Sequence, residues 1–244
     1  MKVELSVHTL YRLLETRNLG EPHTIFTGGE RYYSPRFKQE TDAQLRRELE
    51  QARVLTQRGI DADFLDLLQV VQRAGTEYYG WLKDAEGPYT VLTATAGRLG
   101  VLAERIGDQV TFERIDAARA LESFVYRLPN VPAARGEAIS VRVADLTPAK
   151  PDGYGRRATA APPQARRLDE LMKQPRVGGA KLYTAKRDQR GKRARAAEWI
   201  TAIDLRAGRW AIYQTGRGEK SVMAVPGSAQ FISKRLRELH DTIA

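Results

Sequence analysis

Two stretches of this chain lay out the same run of elements, and that constrains the fold more than any other feature. Gly97-Arg98-Leu99-Gly100-Val101-Leu102 leads through a turn at Gly107 and a strand around Phe112 into a helix ending near Leu128. Gly208-Arg209-Trp210-Ala211-Ile212-Tyr213 leads through Gly218 and a strand around Met223 into a helix ending near Leu239. Aligned without gaps, Gly97 falls on Gly208, Arg98 on Arg209, Gly107 on Gly218, Phe112 on Met223, Leu121 on Ile232 and Leu128 on Leu239. A strand-strand-helix unit has one apolar sheet face, and two such units bury those faces best around a shared sheet. The pattern predicts an α+β fold with a central antiparallel β-sheet flanked by helices, in two pseudo-repeated halves, 1–130 and 131–244, related by a quasi-two-fold. Against this stands the fact that glycine at turns and apolar residues at alternate positions are common to any two such stretches.

The elements follow from periodicity. Residues 3–6 alternate as a short strand, and Leu10, Leu13 and Leu14 continue as a helix to about Arg17. Residues 18–38, rich in Gly and Pro, read as loop with one short strand at 23–26. A helix capped by Thr41 and Asp42 carries Leu45, Leu49, Val54 and Leu55 on one face. A second, starting at Asp61-Ala62-Asp63 and carrying Phe64, Leu67, Leu68 and Val71, ends near Ala74 and forms an antiparallel pair with it. Strands at 77–83, 89–96, 99–105 and 110–114 are joined by hairpin-length turns, and a helix at 116–127 closes the first half. The second half reads as a strand at 138–143, a mobile linker at about 147–163 and a helix at 166–173. Strands at 180–186, 195–205, 208–215 and 220–225 and a last helix at 227–242 complete it.

Composition excludes several kinds of chemistry. The chain has no cysteine and three histidines, His8, His23 and His240, each in a separate element, so neither a disulfide framework nor a metal centre is expected. Gly216-Arg217-Gly218-Glu219-Lys220-Ser221 ends like a phosphate loop, but Glu219 stands where a glycine is required and a strand follows where a helix is needed. Paired carboxylates such as Asp61/Asp63 and Asp169/Glu170 fall at helix starts or on exposed faces, where capping explains them. No catalytic set, cofactor site or metal site is expected. The first residues lack a signal-peptide core and no stretch is long enough to span a bilayer, so a cytoplasmic protein is expected.

Charge leaves one alternative open. Residues 131–244 hold 23 Lys and Arg against 11 Asp and Glu, a net +12, whereas 1–130 hold 17 against 19, a net −2. The densest run, 186–195, sets Arg187, Arg190, Lys192, Arg193 and Arg195 on a hairpin between two strands. One reading is a projecting basic prong for an acidic partner or a phosphate backbone, and with it a nucleic-acid-binding regulator. The other is a solubilising hairpin tip turned by Gly191. Scattered basic residues without interleaved aromatics favour solvated faces. Tyr78, Tyr79, Trp81 and Tyr89 cluster on one hairpin, and Trp199, Trp210 and Tyr213 on its counterpart. Most are expected in the core, and those on the other strand face are free for a partner.

The run Gly97 through Arg105, the basic hairpin followed by Trp199-Ile200-Thr201, Gly208-Arg209-Trp210 and the opening Val3-Glu4-Leu5-Ser6 together resemble the EspG family of type VII (ESX) secretion-associated proteins. The likeness spans essentially the whole chain, and its arginine content and length resemble non-mycobacterial actinobacterial members. It implies a cytosolic chaperone without cofactor or catalysis, which binds the helical tip of PPE proteins in PE–PPE pairs and keeps it soluble for export. The client is then PE–PPE-like or a WXG-type helical hairpin, and a homodimer is left open. In the family the partner surface involves the sheet, a loop early in the first meander and the C-terminal helical region. Here that loop is only 84–88, which makes Asp84, Glu86, Trp81, Trp199, Arg235 and Glu238 the candidate partner-binding residues.

Overall fold

The computed structural model describes residues 1–27, 35–57, 59–146, 161–216 and 218–243. The chain opens with strand β1 (Lys2–Ser6), which runs directly into helix α1 (Val7–Thr16). Ser6 makes the switch: its Oγ accepts the Thr9 N–H at 3.1 Å, satisfying an orphan donor of the first helical turn. Helix α2 (Pro35–Gln51) crosses outside this corner, where Glu48 accepts hydrogen bonds from the Ser6 N–H at 2.8 Å and the Ser6 Oγ–H at 2.9 Å. A two-residue ribbon, β2 (Leu55–Thr56) with β3 (Gly59–Ile60), leads to α3 (Ala62–Arg73), capped by Asp61 as the sequence predicts.

Four long strands follow as an antiparallel meander: β4 (Thr76–Lys83), β5 (Pro88–Ala96), β6 (Leu99–Ile106) and β7 (Gln109–Asp116). A 3-10 turn, Ala117–Arg119, then leads into α4 (Ala120–Tyr126). The rest of the chain provides β8 (Ile139–Arg142), α5 (Pro163–Lys173), β9 (Arg176–Arg187), the short β10 (Arg193–Arg195), β11 (Ile200–Leu205), β12 (Gly208–Thr215), β13 (Ser221–Pro226) and α6 (Ala229–Asp241). Eleven of the strands form one sheet in the order β1-β7-β6-β5-β4-β9-β11-β12-β13-β8, with β10 paired to β9 beside this path. Every strand pair in it is antiparallel. The large antiparallel sheet flanked by helices is the α+β architecture expected.

Period-2 alternation sends neighbouring residues to opposite sheet faces. On one face, α1 and α3 cover the first half around Phe64, Phe112, Leu92 and Ala94, and α5 covers the far end around Ile203, Leu205, Trp210 and Ile139. On the other, α4 and α6 bury Tyr78, Leu82, Leu182 and Ala202 beneath Phe124, Ile232, Leu236 and Leu239.

Several expectations are corrected. Residues 23–26 form no strand: His23 Nδ1 accepts the Ile25 N–H at 3.3 Å and caps a 3-10 turn, Thr24–Phe26. Helix α2 begins at Pro35, well before the Thr41-Asp42 cap signal, because proline suits a first helical turn. It ends at Gln51, so Val54 and Leu55 lie beyond it, and its helical neighbour is α1, through Arg12 and Asp42, not α3. The single strand expected at 195–205 is two, because residues 196–199 break the ladder between β10 and β11. Of the expected linker, residues 147–160 lie outside the described residues.

The gap-free alignment of the two halves does not follow the sheet. Gly97 sits in a two-residue turn between the paired Ala96 and Leu99, with φ +60°. Gly208 is itself the first paired residue after its turn, opposite Leu205, so its counterpart is Leu99. Phe112 pairs with Ala103 and faces the core, whereas Met223 pairs with Tyr213 and Ala224 is the fully buried neighbour. The two glycines therefore serve different ends. Gly208 holds φ +120°, and a Cβ there would come within 2.7 Å of the Ala134 Cα. Gly208→Ala is expected to cost about 1–3 kcal/mol in unfolding free energy from strain and overlap, while Gly97→Asn, at an open turn with nothing within 4 Å, leaves the urea midpoint nearly unchanged.

Candidate functional site

The helices on the first face do not meet. Among the described residues no helix covers the sheet between α3 and α5, and a transverse row of Thr90, Trp81, Lys181 and Thr201 crosses it on four adjacent strands, β5, β4, β9 and β11, with the Thr90 hydroxyl donating to the Ile25 carbonyl at 3.0 Å. Beside this row lies a second, Tyr79 opposite Tyr183, with Trp199 reaching over from the break before β11. The rings form one continuous contact. Tyr79 stacks on Tyr183 at 5.5 Å, Trp81 meets both edge-on at 5.8 and 5.6 Å, and Trp199 stacks on the far side of Tyr183 at 6.2 Å. Edge-on and offset stacking lock such a group in place without covering it. Trp81 and Trp199 each remain 38% exposed and Val177 46%, an unusual amount of apolar surface for the middle of a sheet. Trp81 and Val177 line a cleft of about 380 Å³ whose other walls include Lys83, Arg176, Gly179, Lys181 and Thr201.

One edge of this face is held by a buried charge cluster. The Glu77 carboxylate, 1% exposed, receives Arg193 Nη2 at 2.7 Å and faces His23 Nε2 at 3.2 Å. Because His23 Nδ1 accepts the Ile25 N–H, its proton lies on Nε2, where it donates to Glu77. Burial opposes ionisation of Glu77, but the hydrogen bonds from His23 and Arg193 outweigh it and hold the carboxyl below the usual carboxylate range. On the opposite face His240 Nδ1 lies 3.0 Å from Thr184 Oγ, which itself donates to the Glu77 carbonyl at 2.9 Å. Burial, reinforced by Lys186, pushes His240 below the usual histidine range.

The structure brings together only part of the expected partner set. Trp81 and Trp199 meet through Tyr183, and Asp84 and Glu86 stand in the turn that ends β4, where Asp84 Oδ1 accepts the Glu86 and Gly87 N–H groups at 2.8 and 3.1 Å. Arg235 and Glu238 are elsewhere. They pair with each other at 3.1 Å on α6, and the Arg235 guanidinium lies 4.6 Å above Tyr213, on the sheet face opposite Trp81. The basic hairpin does not project as a prong. Arg193 turns inward to Glu77, Arg187 donates to the Gln72 and Gly191 carbonyls, and Arg195 lies 5.0 Å over the Tyr183 ring. Only Arg190 and Lys192 of the five keep their side chains out of these contacts. Sequence reasoning missed Tyr183, the hub of the aromatic group, and Lys181. Their signal was present in the alternation of β9, which puts 181 and 183 on one face, but it became legible only with Trp81 and Tyr79 opposite them.

An eleven-stranded antiparallel sheet, covered by helices on one face and, among the described residues, free of helices across the middle of the other, defines an α+β protein. The chain belongs to the EspG family, whose model matches residues 6–238. Among solved structures it is similar to the Mycobacterium tuberculosis type VII secretion system chaperone EspG5, determined in complex with a PE25-PPE41 dimer. The two share 15% sequence identity at a TM-score of 0.70, over 100% of this chain and 97% of that one. No curated protein matches the chain. Among the described residues no helix is long and apolar enough to cross a membrane.

Proposed function

We propose that this protein is a cytosolic, non-catalytic chaperone of type VII secretion that holds the helical tip of a PE–PPE-like or WXG-type substrate on its bare sheet face. Membership of the EspG family and the likeness to a chaperone solved with a PE–PPE pair support the class. One observation carries the site. The exposed aromatic surface lies on β4, β9 and β11, and each of these strands is already paired on both sides. At Trp81, Lys181 and Thr201 the ladder is occupied on both sides, so an occupant over these residues has to bring its own satisfied backbone, as a helix or helical turn does. Apolar side chains at such a tip find Trp81, Trp199 and Val177, and are kept from self-association while held. Asp84 and Glu86 border this face, whereas Arg235 and Glu238 belong to the opposite one.

The test is co-purification of the tagged full chain from its own host at moderate salt, with and without nuclease. The expected outcome is a helical secretion substrate whose recovery ignores nuclease. Trp81→Ala combined with Trp199→Ala is expected to abolish that recovery while the variant still folds at the growth temperature, as circular dichroism checks, although losing two largely buried rings lowers the melting temperature. Nucleic acid recovered in place of any helical substrate overturns the reading.

A further inference from the structure

The cleft beside Trp81 pairs its apolar floor with an unusual charge arrangement. Lys83, Arg176 and Lys181 all line it, all are exposed, and none forms an ion pair with a described residue. Other surface cations are in part paired, Arg12 with Asp42, Arg119 with Glu122, Arg142 with Asp145, Lys173 with Asp169 and Lys220 with Glu198, and in part unpaired, as Arg190 and Lys192 are; what sets Lys83, Arg176 and Lys181 apart is that all three line one apolar cleft beside the exposed Trp81. Three unmatched cations around one apolar cleft raise a local positive potential where a partner's apolar surface would exclude water, and there a charge pair gains strength.

We infer that the helical tip seated on this face carries carboxylates flanking its apolar residues, and that Lys83, Arg176 and Lys181 select it. This rests on the docking face proposed above and adds the chemistry of what docks. The same cations do not make a track for a phosphate backbone. They cluster around one open cleft of about 380 Å³ and not along a groove, and Asp84, next to Lys83, adds a carboxylate beside them. A protein tip with separated carboxylates tolerates that mixture, because Asp84 and Glu86 then face its neutral or basic positions.

Two synthetic two-helix peptides test it, identical in a Leu/Phe-bearing turn but carrying either Glu or Lys at the four positions flanking the turn. Fluorescence anisotropy against the full chain is expected to show the Glu peptide binding about tenfold or more tighter, a preference that shrinks with added salt. The triple variant Lys83→Glu, Arg176→Glu, Lys181→Glu is expected to reverse the preference, and Trp81→Ala to weaken both peptides. The circular dichroism of the triple variant should match the parent, because all three side chains are exposed. Equal affinity for both peptides, weakened by Trp81→Ala, overturns the charge selection and leaves the docking face standing. Binding of neither peptide, or binding indifferent to Trp81→Ala, overturns both. A 20-base-pair DNA duplex that binds more tightly than either peptide and is released by the triple variant assigns the cations to phosphate and also overturns the inference.

Discussion

Replacing Arg209 with methionine is expected to lower the free energy of unfolding by about 3–5 kcal/mol, read as a shift of the urea midpoint to lower concentration. Asp204 and Arg209 are direct cross-strand neighbours on β11 and β12, with side chains 1% and 3% exposed. Two charge-assisted hydrogen bonds of 2.6 and 2.8 Å join them, and a third of 2.8 Å runs from Arg209 to the Pro129 carbonyl. The backbone of the same residue donates to Pro132 O at 2.7 Å and accepts from Ala134 N at 2.9 Å, so Arg209 also fastens the connection between α4 and β8. Methionine fills the volume but strands a buried carboxylate. The double replacement Asp204→Leu with Arg209→Met removes both charges and is expected to recover most of the loss. An equal loss in the double variant would show that the bond to Pro129, and not the stranded charge, sets the cost.

Glu77→Gln is expected to cost about 2–3 kcal/mol, less than the Arg209 change because Arg193 is 29% exposed and part of its partnership is screened. Its clearer signature is in pH. The folded carboxyl titrates below its ordinary 4.5, so the stability it confers is complete above that value and is lost as pH falls through the folded value. His240 acts in the same direction at higher pH. Its folded value lies below the ordinary 6.5, the unfolded chain binds the proton more readily, and its contribution is complete above 6.5 and declines as pH falls below it. The urea midpoint is therefore expected to drop in two stages on acidification. His240→Gln should erase the first and Glu77→Gln should reduce the second, which Glu48 shares, since against the opposing effect of burial the hydrogen bonds from Ser6 hold it too below the usual carboxylate range. A single stage in the parent protein would contradict this assignment.

Local signals made the meander legible. Alternation and two-residue turns placed β4 to β7 to within a residue or two, and the Asp61 cap fixed the start of α3. What stayed hidden was long-range. Arg193 reads in sequence as one more exposed cation, yet its partner Glu77 lies 116 positions away, and nothing local distinguishes it from Arg190. The apparent match of Gly97 with Gly208 failed for a related reason: one answers a turn and the other the close approach of Ala134, a segment distant in sequence. The candidate site divided along the same line. Trp81 and Trp199 were found by residue type, but their joining through Tyr183 depended on the pairing of β4 with β9, and Arg235 with Glu238 proved to be a local helical pair on the other face.

The seam between β4 and β9 has a consequence for when this protein is competent. Thr90 and Trp81 come from the first 100 residues and Lys181 and Thr201 from beyond residue 180, so this face is continuous only across the pairing of β4 with β9. Contacts between such distant parts of a chain form after local hairpins and helices have paid their closure entropy. A partly synthesised or misfolded copy therefore presents half a row of aromatics and no cleft. Possession of the surface is itself proof of maturity, so if a substrate docks there as proposed, it sorts finished molecules from unfinished ones without any separate inspection step.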